Sequence, residues 1–554
     1  MERIRIKFIF IFSLAILMLP FFVLADSQGQ NQNFSVDPTY SLQKQEQVQA
    51  VLQKVSATGY FYLESAWYQS LSAEDKKTVD QNLESLSQEF ENKIYPKLTL
   101  AYGKEWSPGI DNDYHITILF HKMKEDARGY FNSGDEYPKI QNPKSNEREM
   151  IYLSAEALLT PNVKSYLAHE FTHLITSNQK DRLRGVSEDV WLNEARAEYA
   201  PTLLGYDDDY AQSNLQQRVK IFINAPNDSL TDWLNQTNDY GVINIFTQYL
   251  VDQYGVAILT DSMKSQKAGI SSINEALLKE GFSADQDFAK IFTDWTVAIY
   301  LNDCALGQRY CYKNPNLKNL RIAPSLIFFP STQKTKFLLD YSISQWSGNW
   351  YRIIGGEGKL DVTFSGDSRA DFKVPYVLCK DTQCWVDFLT LDSLQNGTSS
   401  FEKFGTDWTS LTLIPSVQTK ISDGTGLSFS FSITAEMTNT DEEQKQIQDL
   451  RAKISELRNQ IAQVLAQLNA ILGKKQSCLK FEDDLYFGLT NNQEVSCLQE
   501  FLKSRGTAIY PEGLVTGNFF DSTKAAVIKY QAAKGIIQTG YFGPKTRAAA
   551  NAEL

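Results

Sequence analysis

Cations are too few in this chain to cover a phosphate backbone. Its 54 lysines and arginines stand against 66 aspartates and glutamates, a formal charge of -12. A nucleic-acid partner is therefore not expected, because neutralising phosphates takes an excess of clustered positive charge. Cysteine is sparse and never spaced CxxC, which removes the common thiolate zinc sites. The six cysteines fall as near neighbours, Cys304 with Cys311, Cys379 with Cys384 and Cys478 with Cys497, as expected of local disulfides in an oxidising compartment. Beyond residue 24 no stretch is long and apolar enough to cross a membrane. Histidine is rarest of all, four in 554 residues, so any two that stand close together carry information.

What is present begins with an export signal. Arg3, Arg5 and Lys7 precede an apolar run over residues 8–24, and Val23-Leu24-Ala25 offers small residues for cleavage, so residues 1–25 read as a signal peptide with Asp26 as the mature start. The rival reading is an uncleaved anchor, since the run approaches the roughly 17 to 25 residues that span a bilayer. No cysteine stands directly after the run, so a lipid-modified cysteine anchor is not indicated. The expected location is secreted, either extracellular or associated with a cell wall.

A chain of 554 residues exceeds one hydrophobic core, which predicts several domains. Residues 26–40 are rich in Gln, Asn and Ser and read as a linker. Residues 41–314 mix helical periodicity with apolar strands such as HITILF and MIYLS, giving an α+β domain. Residues 315–437 turn to short alternating runs bounded by Gly, Asp, Ser and Asn, which predicts a β-sandwich. From Ile447 through Leu450, Ile454, Leu457, Ile461, Val464 and Leu468 to Ile471 the apolar steps alternate three and four. Residues 438–475 therefore read as a coiled-coil helix, either paired in parallel with a second copy or serving as a solitary spacer. A small last domain occupies residues 476–554.

The chemistry concentrates in His169-Glu170-Phe171-Thr172-His173. Histidines four apart share one helical face and can converge on one ion, with Glu170 placed to reach a water on that ion. Thr160, an N-cap type, followed by Pro161 marks an expected helix start. In a shuffled chain of this composition HExxH would arise on the order of once in several hundred trials. Zinc needs a third protein ligand and an open position for water. Glu194, 21 residues after His173, sits on a second helix in NEARAEY and is expected to supply that ligand. Glu198, one turn further, is placed to fix the tautomer of a ligand imidazole, His169. His115 and His121, in or beside a strand, read as structural residues.

HEFTH followed by NEARAEY resembles the gluzincins, the thermolysin-like metallopeptidases. DNDYHITILF, GYFNSGDEYP, MIYLSAEAL and YGVINIFTQYLVDQYG are similar to the hyicolysin-like and immune-inhibitor-A-like secreted peptidases. The resemblance implies a zincin-like peptidase fold over residues 41–314, one catalytic Zn2+ and a metal-activated water with Glu170 as general base, hydrolysing peptide bonds of a protein or peptide substrate. Glu198 stands where thermolysin-like enzymes carry Asp. No histidine follows His173, so Tyr240 is the expected hydrogen-bond donor to the developing oxyanion. MIYLS is a candidate edge strand for an extended substrate.

The β-region shows no acid pair, nucleophile or metal cluster, and Trp346, Trp350 and Trp385 read as core aromatics. The tail over residues 478–554, with VSCLQEFL, GLVTG, TKAAVIKYQ and TGYFGPKT, resembles the peptidoglycan-binding-domain-1 family, although Phe520 replaces a usual Gly. The resemblance implies a small three-helix wall-binding domain whose partner is peptidoglycan. Two other functions remain open at this stage: a peptidase of peptidoglycan cross-links, and a non-catalytic wall-bound adhesin with a structural zinc.

Overall fold

The computed structural model describes residues 25–330, 335–419, 427–438, 441–472 and 478–554. The expected signal sequence therefore lies outside the described residues, apart from Ala25 at its end. Contacts divide the chain into two compact units, residues 1–445 and 446–554.

The first unit starts with a six-stranded sheet made of β1 (Asn31–Ser35), β2 (Gln47–Val55), β3 (Gly59–Glu64), β4 (Ile116–His121), β5 (Gly129–Phe131) and β6 (Met150–Ser154), in the order β1-β2-β3-β4-β6-β5. β3, β4 and β6 run parallel, with Ile118 opposite Ile151, and the remaining pairs are antiparallel. These three strands are buried along their whole length, which explains their continuous apolar runs. Successive side chains take opposite faces. Phe61, Leu63, Ile118 and Phe120 join the helical core, while Tyr60, Tyr62, Leu119 and Tyr152 pack on the other side.

That second face corrects the linker reading of residues 26–40. The stretch forms β1, with Phe34 and Val36 buried and Phe34 edge-on to Tyr62 at 4.9 Å. Tyr62 Oη donates to Asp26 at 2.7 Å, and Arg148 pairs with the same carboxylate. Two apolar side chains two residues apart are enough for an edge strand buried on one face, and averaging composition over the stretch hides that alternation. MIYLS is corrected as well. It is the interior strand β6, and the edge beside it is β5.

Helices then cover the sheet. α1 (Ala73–Glu89) is capped by Ser72, which accepts from the Asp75 amide. α2 (Val163–Thr176) carries HExxH. It starts after Asn162 rather than at Thr160, because Thr160 closes a 3-10 turn over Ala155–Leu159. α3 (Val190–Leu203), α4 (Asn214–Asn224), α5 (Thr237–Tyr254) and α6 (Phe288–Leu301) follow. Gln236 and Asp239 form a reciprocal cap at the start of α5.

No break in packing occurs at 314/315. Leu317, Trp346, Trp350, Val377 and Ile414 belong to the same core as α2, α3 and α5, and Trp350 Nε1 donates to the Thr296 carbonyl of α6 at 2.8 Å. Strands Thr335–Ser344, Gly358–Gly366, Asn396–Phe404 and Ser428–Thr438 form one sheet. Ser325–Phe329, Tyr351–Gly355, Pro375–Lys380, Gln383–Phe388 and Ser410–Leu413 form another. The two share a core of their own, the arrangement of a sandwich. Trp346 and Trp350 are buried, but Trp385 is 49 % exposed and meets Trp408 edge-on, so its assignment to the core is corrected.

α7 (Asp441–Leu472) spans the heptads as one helix, with Leu450, Ile454, Leu457, Ile461, Val464 and Leu468 about half exposed. The last module consists of α8 (Gln493–Ser504), α9 (Asp521–Ala533) and α10 (Pro544–Asn551) around Leu498, Phe519, Val527, Tyr530 and Phe542. All three expected disulfides are formed, 304–311, 379–384 and 478–497. Cross-linking a 19-residue separation restricts the unfolded chain by about 3 kcal/mol, a large share of what so small a core can supply. Replacing Cys478 and Cys497 together by alanine is expected to lower the module's stability by about that amount, measured by denaturant unfolding of the full chain.

Candidate active site

α2 and α3 pack against each other and bring three atoms of ligand type together. His169 Nε2 and His173 Nε2 are 3.1 Å apart. Glu194 Oε2, from the first half of α3, lies 3.3 Å from the former and 3.6 Å from the latter. Zinc bonds of about 2.0–2.2 Å in tetrahedral geometry set ligand atoms about 3.3 Å apart, so the trio has the spacing of one face of a zinc tetrahedron. Glu194 Oε2 is also a buried oxygen with no hydrogen-bond donor. The donor set of two imidazoles and one carboxylate thus fits a zinc ion. His169, Glu170 and His173 form a looser group within 4.8 Å. Glu194 Oε2, at 3.3 and 3.6 Å from the two imidazoles, lies within ligand spacing of both.

Glu170 points toward the sheet edge instead. A Cβ on Gly129 of β5 would meet Glu170 Oε1 at 2.7 Å and the Tyr152 carbonyl at 2.9 Å, so glycine is required for the edge strand to lie against this carboxylate. Burial raises the Glu170 carboxyl above its ordinary range, with the two histidines opposing. A proton acceptor shifted toward neutrality is suited to general-base work.

Outside the trio a layer of hydrogen bonds holds the imidazoles. His169 Nδ1 is 3.3 Å from Glu198 Oε1, and His173 Nδ1 is 3.1 Å from Asn193 Oδ1. Glu198 is 1 % exposed and is gripped by Arg218 of α4 through two bonds of 2.7 and 2.6 Å. Asn214 and Asn244 donate to it at 3.1 and 3.3 Å. Sequence reasoning missed Asn193, Arg218, Asn214 and Asn244. Asn214 and Arg218 share an i,i+4 face of α4, the one signal that could have linked them.

Charge in this pocket favours a cation. Burial alone would lower His169, but Glu194 and Glu198 push it up to about 10. Burial likewise works against the carboxylates, yet the histidines hold Glu194 down to about 2, and Arg218 with His169 holds Glu198 lower still. Tyr240 lies on α5, with Arg218 over its ring at 4.9 Å and Trp233 edge-on at 4.9 Å. Burial and the nearby Glu194, Glu198 and Glu170 raise its phenol, so it stays a donor. Tyr40, stacked on Tyr130 of β5 at 4.5 Å, also feels Glu170 and Glu194. It comes from just after β1 and lay within the stretch read as linker. His121 is buried and His115 stacks on Tyr60, and neither belongs to the group formed by His169, Glu170 and His173.

A peptidoglycan-binding-type module closes the chain. Residues 491–550 match the family described as "Putative peptidoglycan binding domain". Over 204 residues the chain is 29 % identical to the neutral metalloprotease ShpI of Staphylococcus hyicus, a match covering 32 % of this chain and 44 % of that protein. The matched part thus spans less than half the relative's length. Among solved structures, the pre-peptidase C-terminal domain of a collagenase from Bacillus anthracis is 10 % identical. That likeness covers 20 % of this chain and 96 % of that one, with a TM-score of 0.14. A family GH115 4-O-methyl-alpha-glucuronidase is 10 % identical, covering 58 % of this chain and 51 % of the other, at 0.12. Scores this low carry no argument about fold.

Glu198→Gln would keep the shape but remove the negative charge facing His169 and Arg218. Carboxylates that orient ligand imidazoles are worth about 10- to 100-fold in metal affinity, and a loss of that size is expected in chelator competition with zinc.

Proposed function

We propose that this chain is a secreted zinc metalloendopeptidase held at a cell wall by its C-terminal module. The observation that carries the reading is the spacing of His169 Nε2, His173 Nε2 and Glu194 Oε2 at 3.1 to 3.6 Å. The likeness to a neutral metalloprotease supports it, as does the wall-binding family match. A zinc ion held there supplies Lewis-acid chemistry, polarising a peptide carbonyl and making a water acidic near neutral pH. Glu170, buried beside that position, takes the proton of the attacking water and passes it to the leaving amine. Tyr240 offers its hydroxyl to the oxygen on which negative charge develops. β5 is paired on one side alone, so an extended substrate can lie along its free edge by backbone hydrogen bonds. Three disulfides suit an extracellular setting. Among the described residues no helix is long and apolar enough to cross a membrane.

Two other readings differ in what they predict. A peptidase of peptidoglycan cross-links would release soluble muropeptides from purified sacculi and leave casein intact. An adhesin with a structural zinc would bind the metal stoichiometrically and cut nothing. α7 adds a question of assembly. Its half-exposed heptad side chains suit a second copy, although a parallel pair in this register would set Lys453 against Arg458 of the other helix. If α7 does pair, Leu457→Glu is expected to halve the mass seen by sedimentation.

Glu170→Gln is expected to retain zinc and fold while peptide hydrolysis falls about 10²- to 10⁴-fold, and unchanged proteolysis would overturn the assignment. Gly129→Ala is expected to displace Glu170 and cut kcat with zinc content unchanged, checked by steady-state kinetics beside metal analysis.

A further inference from the structure

Tyr130 of β5 has an aromatic ring against each of its faces. Tyr152, its cross-strand neighbour on β6, stacks on it at 4.2 Å with 9° between the planes. Tyr40 stacks on it at 4.5 Å and 20°. Rings that near and that parallel cannot share one face without overlapping, so they bracket Tyr130. β6 lies on the inner side of β5, and among the described residues no strand pairs on its outer side. The Tyr40 ring therefore stands beyond the free edge of the sheet, on the face away from the helices.

Its own turn holds it there. The Tyr40 amide donates to the Asp37 carbonyl at 3.2 Å, and the Tyr40 carbonyl accepts from the Lys124 amide at 3.0 Å. Ser41 bridges to Met123, and the Asp37 amide donates to Tyr130 Oη at 3.0 Å. Thr39 closes the turn with two bonds to Asp37 Oδ1, at 2.8 and 2.7 Å. A peptide arriving at β5 thus meets a fixed ring rather than a loop free to swing aside. Burial raises the Tyr40 phenol, and Glu170 and Glu194 press the same way, so the ring stands within reach of the charges of the histidine site.

Successive residues of a strand face opposite sides of a sheet. Gly129 faces Glu170, and Tyr130 faces away from it. A strand laid along β5 follows the same alternation: the residue opposite Gly129 faces Glu170, and the next one sets its Cβ about 4.5–5.5 Å from that of Tyr130. The space beyond that Cβ is filled by the Tyr40 ring. We infer that Tyr40 is the wall of a substrate subsite at the free edge of β5 and restricts the peptide residue opposite Tyr130 to glycine or alanine. This restriction rests on the peptidase reading above and defines the class of peptide: extended, with a small residue beside the bond that is cut. A ring that only covered an open strand edge would contribute to stability and leave selectivity untouched.

The full-length, zinc-loaded protein is given a peptide library randomised around the cleaved bond, and the products are read by mass spectrometry. Glycine and alanine are expected at one position beside that bond, favoured over leucine and phenylalanine at least about tenfold in kcat/KM. Tyr40→Ala should bring that ratio below about threefold at this position alone. Tyr40→Phe, which keeps the ring, should leave it unchanged. Tyr40→Trp enlarges the wall without leaving a hole and should shift the choice from alanine toward glycine. A ratio within one digest does not change with the fraction of folded enzyme, so a loss of stability cannot imitate the effect. Leucine and phenylalanine accepted as well as glycine at every position by the unaltered protein, or a preference unchanged in Tyr40→Ala or Tyr40→Trp, would overturn the inference and leave the peptidase reading standing. Cleavage of no peptide despite bound zinc would overturn both.

Discussion

Two carboxylates one helical turn apart on α3, Glu198 buried and Glu194 largely so, impose the charge problem around which the first unit is arranged. Burying one unpaired carboxylate is expensive and burying two side by side is worse, unless cations and donors meet them. Here Glu194 faces His169 and His173, while Glu198 faces His169 Nδ1 and the Arg218 fork. His169 thus stands between two acids, one on each ring nitrogen, which fixes its orientation more firmly than either bond alone would. A metal ion held on the inner side would complete the neutralisation that the outer side already has from Arg218.

Backbone approach is the second constraint, and it falls on the sheet rather than the helices. Glu170 can lie beside the edge strand because position 129 carries no side chain. The next residue, Tyr130, stacks on Tyr40 and accepts from the Asp37 amide at 3.0 Å. The N-terminal segment therefore steadies the strand on which the Glu170 carboxylate leans, and it brings a second phenol into the field of Glu170 and Glu194. Structure at the start of the chain and chemistry at its centre are coupled through one short strand.

How much of this could be read from the sequence follows from distance along the chain. The His169, Glu170 and His173 face was legible because i,i+4 spacing is local, and Glu194 with Glu198 because the same spacing repeats on the next helix. Arg218 and Asn244 were not, since nothing in α4 or α5 marks a side chain that will meet α3. The linker reading of residues 26–40 failed where two apolar residues among polar ones sufficed for an edge strand. The boundary at 314/315 marks a change in strand pattern that the core ignores, because Trp346 and Trp350 pack with α6. Trp385 misled for the opposite reason. An aromatic residue in a strand is a sign of core only when its face of the sheet is covered.

Buried charge elsewhere in the unit includes a carboxylate with both oxygens met, Glu188. Lys180 and Arg196 are fully buried, and both converge on Glu188 Oε2, at 3.3 and 2.7 Å. Lys180 Nζ spends its other donors on the carbonyls of Ser265 and Lys267, and the second oxygen of Glu188 takes the Gly269 amide at 2.7 Å. The Glu188 carboxylate is held below its usual range by the cations despite its burial. Glu149 shows the reverse, an acid forced upward with an oxygen left over. Both side chains are buried, so depth alone does not separate them. The difference is the supply of positive charge, which Lys180 and Arg196 bring to Glu188, whereas Asp111 and Glu136 add negative charge beside Glu149.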